Sequence, residues 1–268
     1  MKFTRANGLT IAYEDRGSGP PLLLLHGFSL DHSMWAAQVA ELERQYRLIV
    51  PDLRGLGKTE APSAPISIED MADDAAALLE ALDIPAAAVA GFSMGGYILA
   101  QMLVRHPLKV RAAAFVSTGG GNADPPEKQE ARVKSMQYVI DEGTAAFADA
   151  FVPQLFASAY AASHPDEVGQ TQEVIEGQRP ASIALLLDAM RQRGDVAYYL
   201  KDINVPCAVI GGEVDALVSA QIMRELLEIL PGSTIDLIGG VGHMSPVEAP
   251  EKVSFALDQM MQRAGMWL

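Results

Sequence analysis

The residues of this chain that could do chemistry begin with a serine held between two glycines. Residues 91–95 read Gly-Phe-Ser-Met-Gly and lie between a short apolar run and a segment of helical character. A strand, a G-x-S-x-G turn and a helix form a nucleophile elbow. Its tight turn requires glycine and lifts the serine hydroxyl clear of the sheet edge. We therefore predict Ser93 as a nucleophile.

A carboxylate and a histidine, the two partners that a nucleophilic serine needs, follow Ser93 along the chain. Glu213 and Asp215 come directly after a predicted strand, and His243 follows the next strand through a glycine-rich loop. A histidine accepts the serine proton, and a carboxylate orients the histidine. Because ligands of open α/β sheets bind at the carboxyl ends of the strands, we expect these residues to converge near Ser93.

Two backbone N–H groups are predicted to stabilise a developing oxyanion. One belongs to Met94, directly after the serine, and the other to Phe28 in a His-Gly turn that follows the apolar run 22–25. Two such donors near a nucleophile are the arrangement that acyl transfer uses.

Short apolar runs alternate with helical segments around these residues. The predicted strands are residues 10–15, 22–25, 47–50, 86–90, 110–117, 205–211 and 234–238. The predicted helices are residues 33–45, 67–82, 93–105, 220–230 and 246–264, the second opened by a capping box at Ser67. The alternation predicts an α/β fold with a mostly parallel central sheet flanked by helices.

One long segment interrupts the alternation. Residues 119–126 are rich in glycine and proline, and residues 127–200 have a helical pattern without an evident strand. We predict a helical cap at residues 122–202, inserted into a core made of residues 1–121 and 203–268.

Composition excludes several classes of function. The chain has 268 residues, 49% of them hydrophobic, and a formal net charge of −14. That charge disfavours nucleic acid and anionic membrane surfaces, which both attract clustered Lys and Arg. There is no P-loop, no dinucleotide fingerprint and no spacing typical of metal ligands, so we expect neither a cofactor nor a metal.

The number of cysteines and the hydropathy of the chain indicate in which cellular compartment the protein is expected. Cys207 is the single cysteine, which fits a reducing environment, and the first residues contain no apolar block of signal-peptide length. The aliphatic run 22–25 is far too short to span a bilayer. We expect a cytoplasmic protein that does not bind membranes. Its oligomeric state, monomer or homodimer, stays open.

Together these motifs resemble the serine esterases of the α/β-hydrolase fold over essentially the whole chain. The matching stretches are residues 25–28, 51–57, 91–96, 212–215 and 242–250. The resemblance implies that Asp215, and not Glu213, is the acid of a triad with Ser93 and His243. It also implies ester hydrolysis through an acyl-enzyme without a cofactor. The serine at the elbow differs from the aspartate of haloalkane dehalogenases and epoxide hydrolases.

The same resemblance leaves three reactions open: hydrolysis of esters, hydrolysis of 3-oxoadipate enol-lactones, and the perhydrolysis of cofactor-free haloperoxidases, in which hydrogen peroxide replaces water at the acyl-enzyme and a peracid is the product. A receptor that has kept the fold is a further, non-enzymatic alternative. Residues 122–202 contain 13 Asp and Glu against 7 Lys and Arg, which favours a small, largely uncharged ester, although one arginine (Arg132 or Arg191) could still bind an anionic lactone. Candidate substrate-binding residues are Phe147, Phe151 and Met190 of the cap and Trp35, for which packing under the oxyanion loop is favoured over substrate contact.

Overall fold

The strands of the described residues form one mixed β-sheet at the centre of the fold. The computed structural model describes residues 1–61 and 65–265, and its strands within those ranges are β1 (Lys2–Ala6), β2 (Leu9–Arg16), β3 (Pro21–Leu25), β4 (Arg47–Pro51), β5 (Ala87–Phe92), β6 (Val110–Val116), β7 (Cys207–Gly212) and β8 (Thr234–Ile238). Their order across the sheet is β1-β2-β4-β3-β5-β6-β7-β8. The pairs β1–β2 and β2–β4 are antiparallel, and the remaining pairs are parallel.

Helices surround this sheet and fill the long connection between β6 and β7. Within the described residues they are α1 (Ala36–Leu42), α2 (Ile68–Ala81), α3 (Met94–Arg105), α4 (Pro126–Phe151), α5 (Ser158–Ser163), α6 (Pro165–Glu176), α7 (Pro180–Gln192), α8 (Ala197–Leu200), α9 (Ala220–Ile229), α10 (Ser245–Glu248) and α11 (Pro250–Arg263). Short 3₁₀ helices span His32–Trp35, Pro107–Lys109 and Val152–Gln154.

The central strands are buried on both faces, which explains their continuous apolar sequences. The leucines at 22–25 of β3 and the alanines of β5 and β6 are almost completely inaccessible to solvent. Helices α2, α3, α8 and α9 form one covering layer, while α1 and α11 pack against each other in a second. An all-apolar run therefore suits these strands better than an alternating one.

Most predicted elements are present, and the differences have local causes. Strand β1 was not predicted. The single helix expected at residues 246–264 is two helices, α10 and α11. Pro250 disfavours helical geometry at the residue before it, and Ala249 accordingly has φ −142° and ψ 59°. The capping box at Ser67 and Asp70 is present as predicted.

Helices α4 to α8 form the segment that we propose as the cap. Within it, α4 packs mainly against α7 and α6. The rings of Phe147 and Phe151 meet Phe28 edge-on at centroid distances of 6.0 and 5.8 Å, so the end of α4 lies over the loop after β3. Residues 62–64 and 266–268, which the predicted core includes, lie outside the described residues.

A kink in α4 gives its last two turns their direction. Gly143 has φ 85° and ψ 175° inside an otherwise helical run, a combination that is almost restricted to glycine. The rings of Phe147 and Phe151 follow the kink and contact Phe28, so the backbone at Gly143 helps to position them.

Within the described part of the chain, no helix combines the length and the apolar character needed to cross a membrane.

We predict that Gly143→Ala lowers the free energy of unfolding by about 1–3 kcal/mol, because a Cβ is strained at this backbone conformation even where space is available. Gly169→Ala is the matched control: Gly169 lies within α6, and an added Cβ would meet open space there. It should instead raise the free energy of unfolding by about 0.5–1 kcal/mol. Denaturant titration measures both, and equal effects of the two substitutions would contradict the strain assigned to Gly143.

Candidate active site

Ser93 lies at a strained turn between β5 and α3. Its φ of 51° and ψ of −111° are unusual for a residue with a side chain. The turn is held by Ser93 N–H, which donates to Val116 O at 2.9 Å, and by the Thr118 hydroxyl, which donates to Ser93 O at 2.9 Å. A Cβ at Gly91 would overlap the carbonyl of Gly95, so the elbow requires glycine there.

Asp215 and His243 reach the same point from the ends of β7 and β8. His243 Nδ1 lies 2.8 Å from Asp215 Oδ2, and His243 Nε2 lies 3.0 Å from Ser93 Oγ. With the proton on Nδ1, the ring donates to the carboxylate and can accept the serine proton at Nε2. His243 and Asp215 are 2% and 7% exposed, so water hardly competes for these bonds.

The carboxylate of Asp215 is fixed by its own loop. Its Oδ1 accepts the N–H groups of Leu217 at 2.8 Å and Val218 at 2.9 Å, which leaves Oδ2 directed at the imidazole. Glu213, the other candidate from the sequence, is exposed. The geometry therefore favours Asp215 as the partner of His243.

The loop that carries His243 is bonded to the cap. Glu248 Oε2 accepts Gly242 N–H at 2.8 Å and Ala157 N–H at 3.1 Å, while Met244 N–H donates to Leu155 O at 2.9 Å. Burial raises the pKa of the Glu248 carboxyl, and the two N–H donors oppose that shift. Glu248 belongs to the 242–250 motif, but its role as a bridge between loop and cap was not predicted.

The Phe28 loop is held from below by a buried histidine. His26 Nε2 accepts Leu53 N–H at 2.9 Å, and its Nδ1–H donates to Gly27 O at 2.8 Å. Burial lowers the pKa of His26, so the ring stays neutral and can accept at Nε2. Within the described residues, neither Phe28 N–H nor Met94 N–H donates to a protein acceptor among the loop and turn bonds. This is compatible with the role in binding an oxyanion that the sequence analysis gave to both groups, and that role stays a prediction.

A second anchor of this loop joins His32 to Asp52. His32 Nδ1 and His32 N–H both bond Asp52 Oδ1, at 2.6 and 3.0 Å, and Lys58 N–H donates to Oδ2 at 2.8 Å. The bond to Asp52 raises the pKa of His32, although partial burial opposes the shift. Asp31 completes the one group within the described ranges whose donor atoms are close enough together to hold a metal ion. These donors already bond protein groups, so we interpret the cluster as a loop anchor.

Ser93 and His243 line a cavity of about 220 Å³ beneath the proposed cap. Phe147, Phe151 and Met190 line it, as the sequence predicted. Further lining residues that the sequence analysis did not name are Leu30, Tyr97, Lys128, Ala131, Ser135, Gln154, Leu155, Leu187, Leu217 and Val218. The wall is mostly apolar and aromatic, which suits a small organic substrate.

Comparisons with known proteins agree with this geometry. The family model described as alpha/beta hydrolase fold matches residues 20–250. The chain belongs to the α/β-hydrolase fold family. A malate-bound thermophilic esterase from Thermogutta terrifontis superimposes with a TM-score of 0.92 at 31% identity, covering 98% of this chain and 97% of that one.

Two enol-lactonases resemble this α/β-hydrolase over nearly their whole length. The structure of the enzyme from Burkholderia xenovorans LB400 superimposes with a TM-score of 0.91 at 27% identity, covering 97% of this chain and 100% of that one. The 3-oxoadipate enol-lactonase 2 of Acinetobacter baylyi is 26% identical over 257 residues, which are 96% of this chain and 93% of that protein.

Trp35 occupies the kind of position that the sequence analysis favoured for it. Trp35 is 0% exposed, meets the ring of Phe92 edge-on at 6.5 Å and is not among the residues that line the cavity. Its packing beneath the elbow favours a structural role over the alternative of substrate contact. Two further aromatic residues of the proposed cap, Phe156 and Tyr160, stack on each other outside the cavity.

Some of the missed lining residues had a signal in the sequence. Lys128 lies four residues before Arg132, which the sequence analysis had named, and this spacing places both on one face of α4. Leu217 and Val218 follow the acid directly and share its loop. Which face of α4 meets the cavity is decided by packing between the cap and the core, and the local pattern does not contain that information.

We predict that His32→Gln destabilises this α/β-hydrolase more at low pH than at high pH. Because the folded-state pKa of His32 is raised, the stabilisation is fully present below its unfolded value, about 6.5, and is lost as pH rises through the folded value. Denaturant titration should give a loss of about 1 kcal/mol at pH 5.5 that shrinks by pH 9. His164→Gln, which removes an exposed ring stacked on Tyr160, is the control. A loss for His32→Gln that grows with pH would refute the assignment.

Proposed function

We propose that this α/β-hydrolase is a carboxylesterase-like enzyme that cleaves small, mainly apolar carboxylic esters through an acyl-enzyme on Ser93. The observation that carries the proposal is the continuous set of contacts from Asp215 through His243 to Ser93, ending at the cavity wall. A buried relay with no access to substrate would have no catalytic use, and this one opens beneath the cap.

In the first half-reaction the Ser93 oxygen attacks the ester carbonyl. Its proton passes to His243 Nε2, 3.0 Å away, as the new C–O bond forms. Asp215 holds the ring by its Nδ1–H and stabilises the imidazolium that results. His243 then gives its proton to the leaving alcohol, the original ester bond breaks, and the acyl group remains on Ser93.

The negative charge that develops on the carbonyl oxygen is assigned to the N–H groups of Phe28 and Met94. The N–H of Met94 is the first of α3, a position without an acceptor inside the helix. Each donor of this kind is typically worth about 2.7–4 kcal/mol of barrier.

The second half-reaction repeats these steps with water. His243 takes a proton from a water molecule, the resulting hydroxide attacks the acyl carbon, and the proton returns to the Ser93 oxygen as the carboxylic acid leaves. Every group in the cycle belongs to the protein, the ester or the solvent. The expected independence of cofactors and the cytoplasmic location are parts of the same proposal.

Lactone hydrolysis is the second candidate, because an enol-lactonase matches this chain across its full length. The steps are the same, except that the leaving alcohol stays tethered to the acyl group. A panel of p-nitrophenyl esters from acetate to decanoate, measured beside a set of lactones, separates the two. Preference for a lactone over every simple ester would replace the first proposal by the second.

We predict that Ser93→Ala lowers kcat for a short p-nitrophenyl ester to the background rate while the far-UV circular dichroism is unchanged. Ser135→Ala is the matched control, since Ser135 lines the same cavity without contacting His243. It should retain kcat within a few-fold. Near-normal turnover by Ser93→Ala would contradict the proposed nucleophile.

We predict that Asp215→Asn lowers kcat by about 10³- to 10⁴-fold, because the amide cannot hold the imidazole in the required tautomer. Glu213→Gln makes the same chemical change two residues earlier at an exposed position and should change kcat less than about threefold. Steady-state kinetics on a p-nitrophenyl ester measures both. A larger loss in Glu213→Gln than in Asp215→Asn would transfer the role to Glu213.

A further inference from the structure

Two cations line the cavity that contains Ser93. Lys128 and Arg132 lie one turn apart on α4, and both contribute to the wall. Among the described residues, no aspartate or glutamate lines this cavity. The acidic excess of the cap therefore lies away from the wall, and the charge that a bound substrate meets is positive.

A buried carboxylate behind the wall holds Arg132 in place. The side chain of Asp124 is 1% exposed and accepts hydrogen bonds from Arg132 Nε and, at 2.8 Å, from Arg193 Nη2. Lys128 Nζ lies 3.9 Å from Asp124 Oδ1. Burial raises the pKa of the Asp124 carboxyl, but the two guanidinium groups outweigh it and lower the pKa overall. One ionised carboxylate thus faces three cations, and the cluster has two positive charges in excess.

The third cation beside Asp124 has a structural role. Arg193 is 8% exposed, stacks over the ring of Tyr97 at 3.9 Å and donates to backbone carbonyls of Asn122 and Met190. With Arg193 fully engaged, the excess charge resides on the two side chains that reach the cavity.

Arg132 has bonding capacity left over. Its Nε donates to Asp124, whereas the one acceptor of its Nη1 among residues 1–61 and 65–265 is Met190 Sδ, at 3.4 Å, and a thioether is a weak acceptor. Met190 itself lines the cavity, so the end of the guanidinium fork is directed at the cavity wall. A planar fork of this kind pairs best with a carboxylate or a phosphate.

We propose that the preferred substrate carries a free carboxylate, bound by Arg132 with Lys128, at a distance from the ester or lactone carbonyl that Ser93 attacks. This inference rests on the proposed esterase function and adds one anionic group to its small, mainly apolar substrate. The substrate class is the hemiesters of short dicarboxylic acids.

The test compares monomethyl succinate, glutarate and adipate with the same methyl esters carrying a carboxamide in place of the carboxylate. For at least one chain length, kcat/KM of the wild type should be about 10- to 100-fold higher for the hemiester, the range that a charged hydrogen bond supplies. Arg132→Gln should remove that preference, because kcat/KM for the hemiester falls toward the value for the amide ester. Arg132→Lys, which keeps the charge but loses the fork, should give an intermediate preference.

Arg191→Gln is the matched control. Arg191 pairs with Asp188 on α7 outside the cavity, so this variant loses the same charge from the cap and should keep the full preference for the hemiester. Equal loss in Arg191→Gln and Arg132→Gln would mean that only the total charge matters, which overturns the inference.

Failure of this inference is distinguishable from failure of the proposed function. If the wild type hydrolyses amide ester and hemiester equally and Ser93→Ala abolishes both, the carboxylate site is refuted and the esterase proposal stands. If Ser93→Ala hydrolyses both at wild-type rates, the esterase proposal itself fails. Should Arg132→Gln not fold, inhibition of wild-type hydrolysis of the amide ester by free succinate, glutarate or adipate supports the site, and absence of inhibition by all three overturns it.

Discussion

The imidazole of His243, held between a carboxylate and a hydroxyl, is the interaction on which the rest of this structure depends. Its two ring nitrogens lie 2.8 Å from Asp215 and 3.0 Å from Ser93, so small shifts of any of the three loops would break the relay. The parallel sheet brings the ends of β5, β7 and β8 to one edge, and the elbow, the Asp215 loop and the bridge through Glu248 fix the side chains there. The strain at Ser93 is the cost of presenting its oxygen to the ring.

Much of the fold was predictable because the strands buried on both faces carry their own signal. Short, continuous apolar runs such as Leu22–Leu25 are typical of central strands, and the capping box at Ser67 marks the start of α2. Strand β1 was missed although Asn7-Gly8, with φ values of 46° and 77°, is the kind of dipeptide that joins hairpin strands. The kink at Gly143 was not predictable from the helical pattern of α4, because a lone glycine within a helix does not specify its own φ.

The candidate site likewise combines residues that short sequence motifs predict with residues whose positions depend on long-range packing. Ser93, Asp215 and His243 stand in short motifs with a fixed order along the chain, so the sequence alone predicted them, and the structure brings them together. The lining of the cavity depends on how the cap packs on the core, so the sequence alone could not decide between packing and substrate contact for Trp35. The sequence also did not show that Arg132 lies at the cavity wall. The net charge of residues 122–202 is negative, which describes the surface of this segment as a whole. It does not describe the cavity, because packing beside the buried Asp124 determines which charged side chains face the cavity wall.

The most direct test of the central claim is to find the covalent adduct. A p-nitrophenyl alkylphosphonate transfers its phosphonyl group to a serine that a neighbouring histidine activates, p-nitrophenol leaves, and the phosphonylated serine mimics the tetrahedral intermediate. Intact-mass and peptide mass spectrometry should show a single adduct on the peptide that contains Ser93, together with loss of ester hydrolysis. A protein that stays unlabelled at Ser93 while its activity is lost, or that is labelled there and remains fully active, would contradict the account.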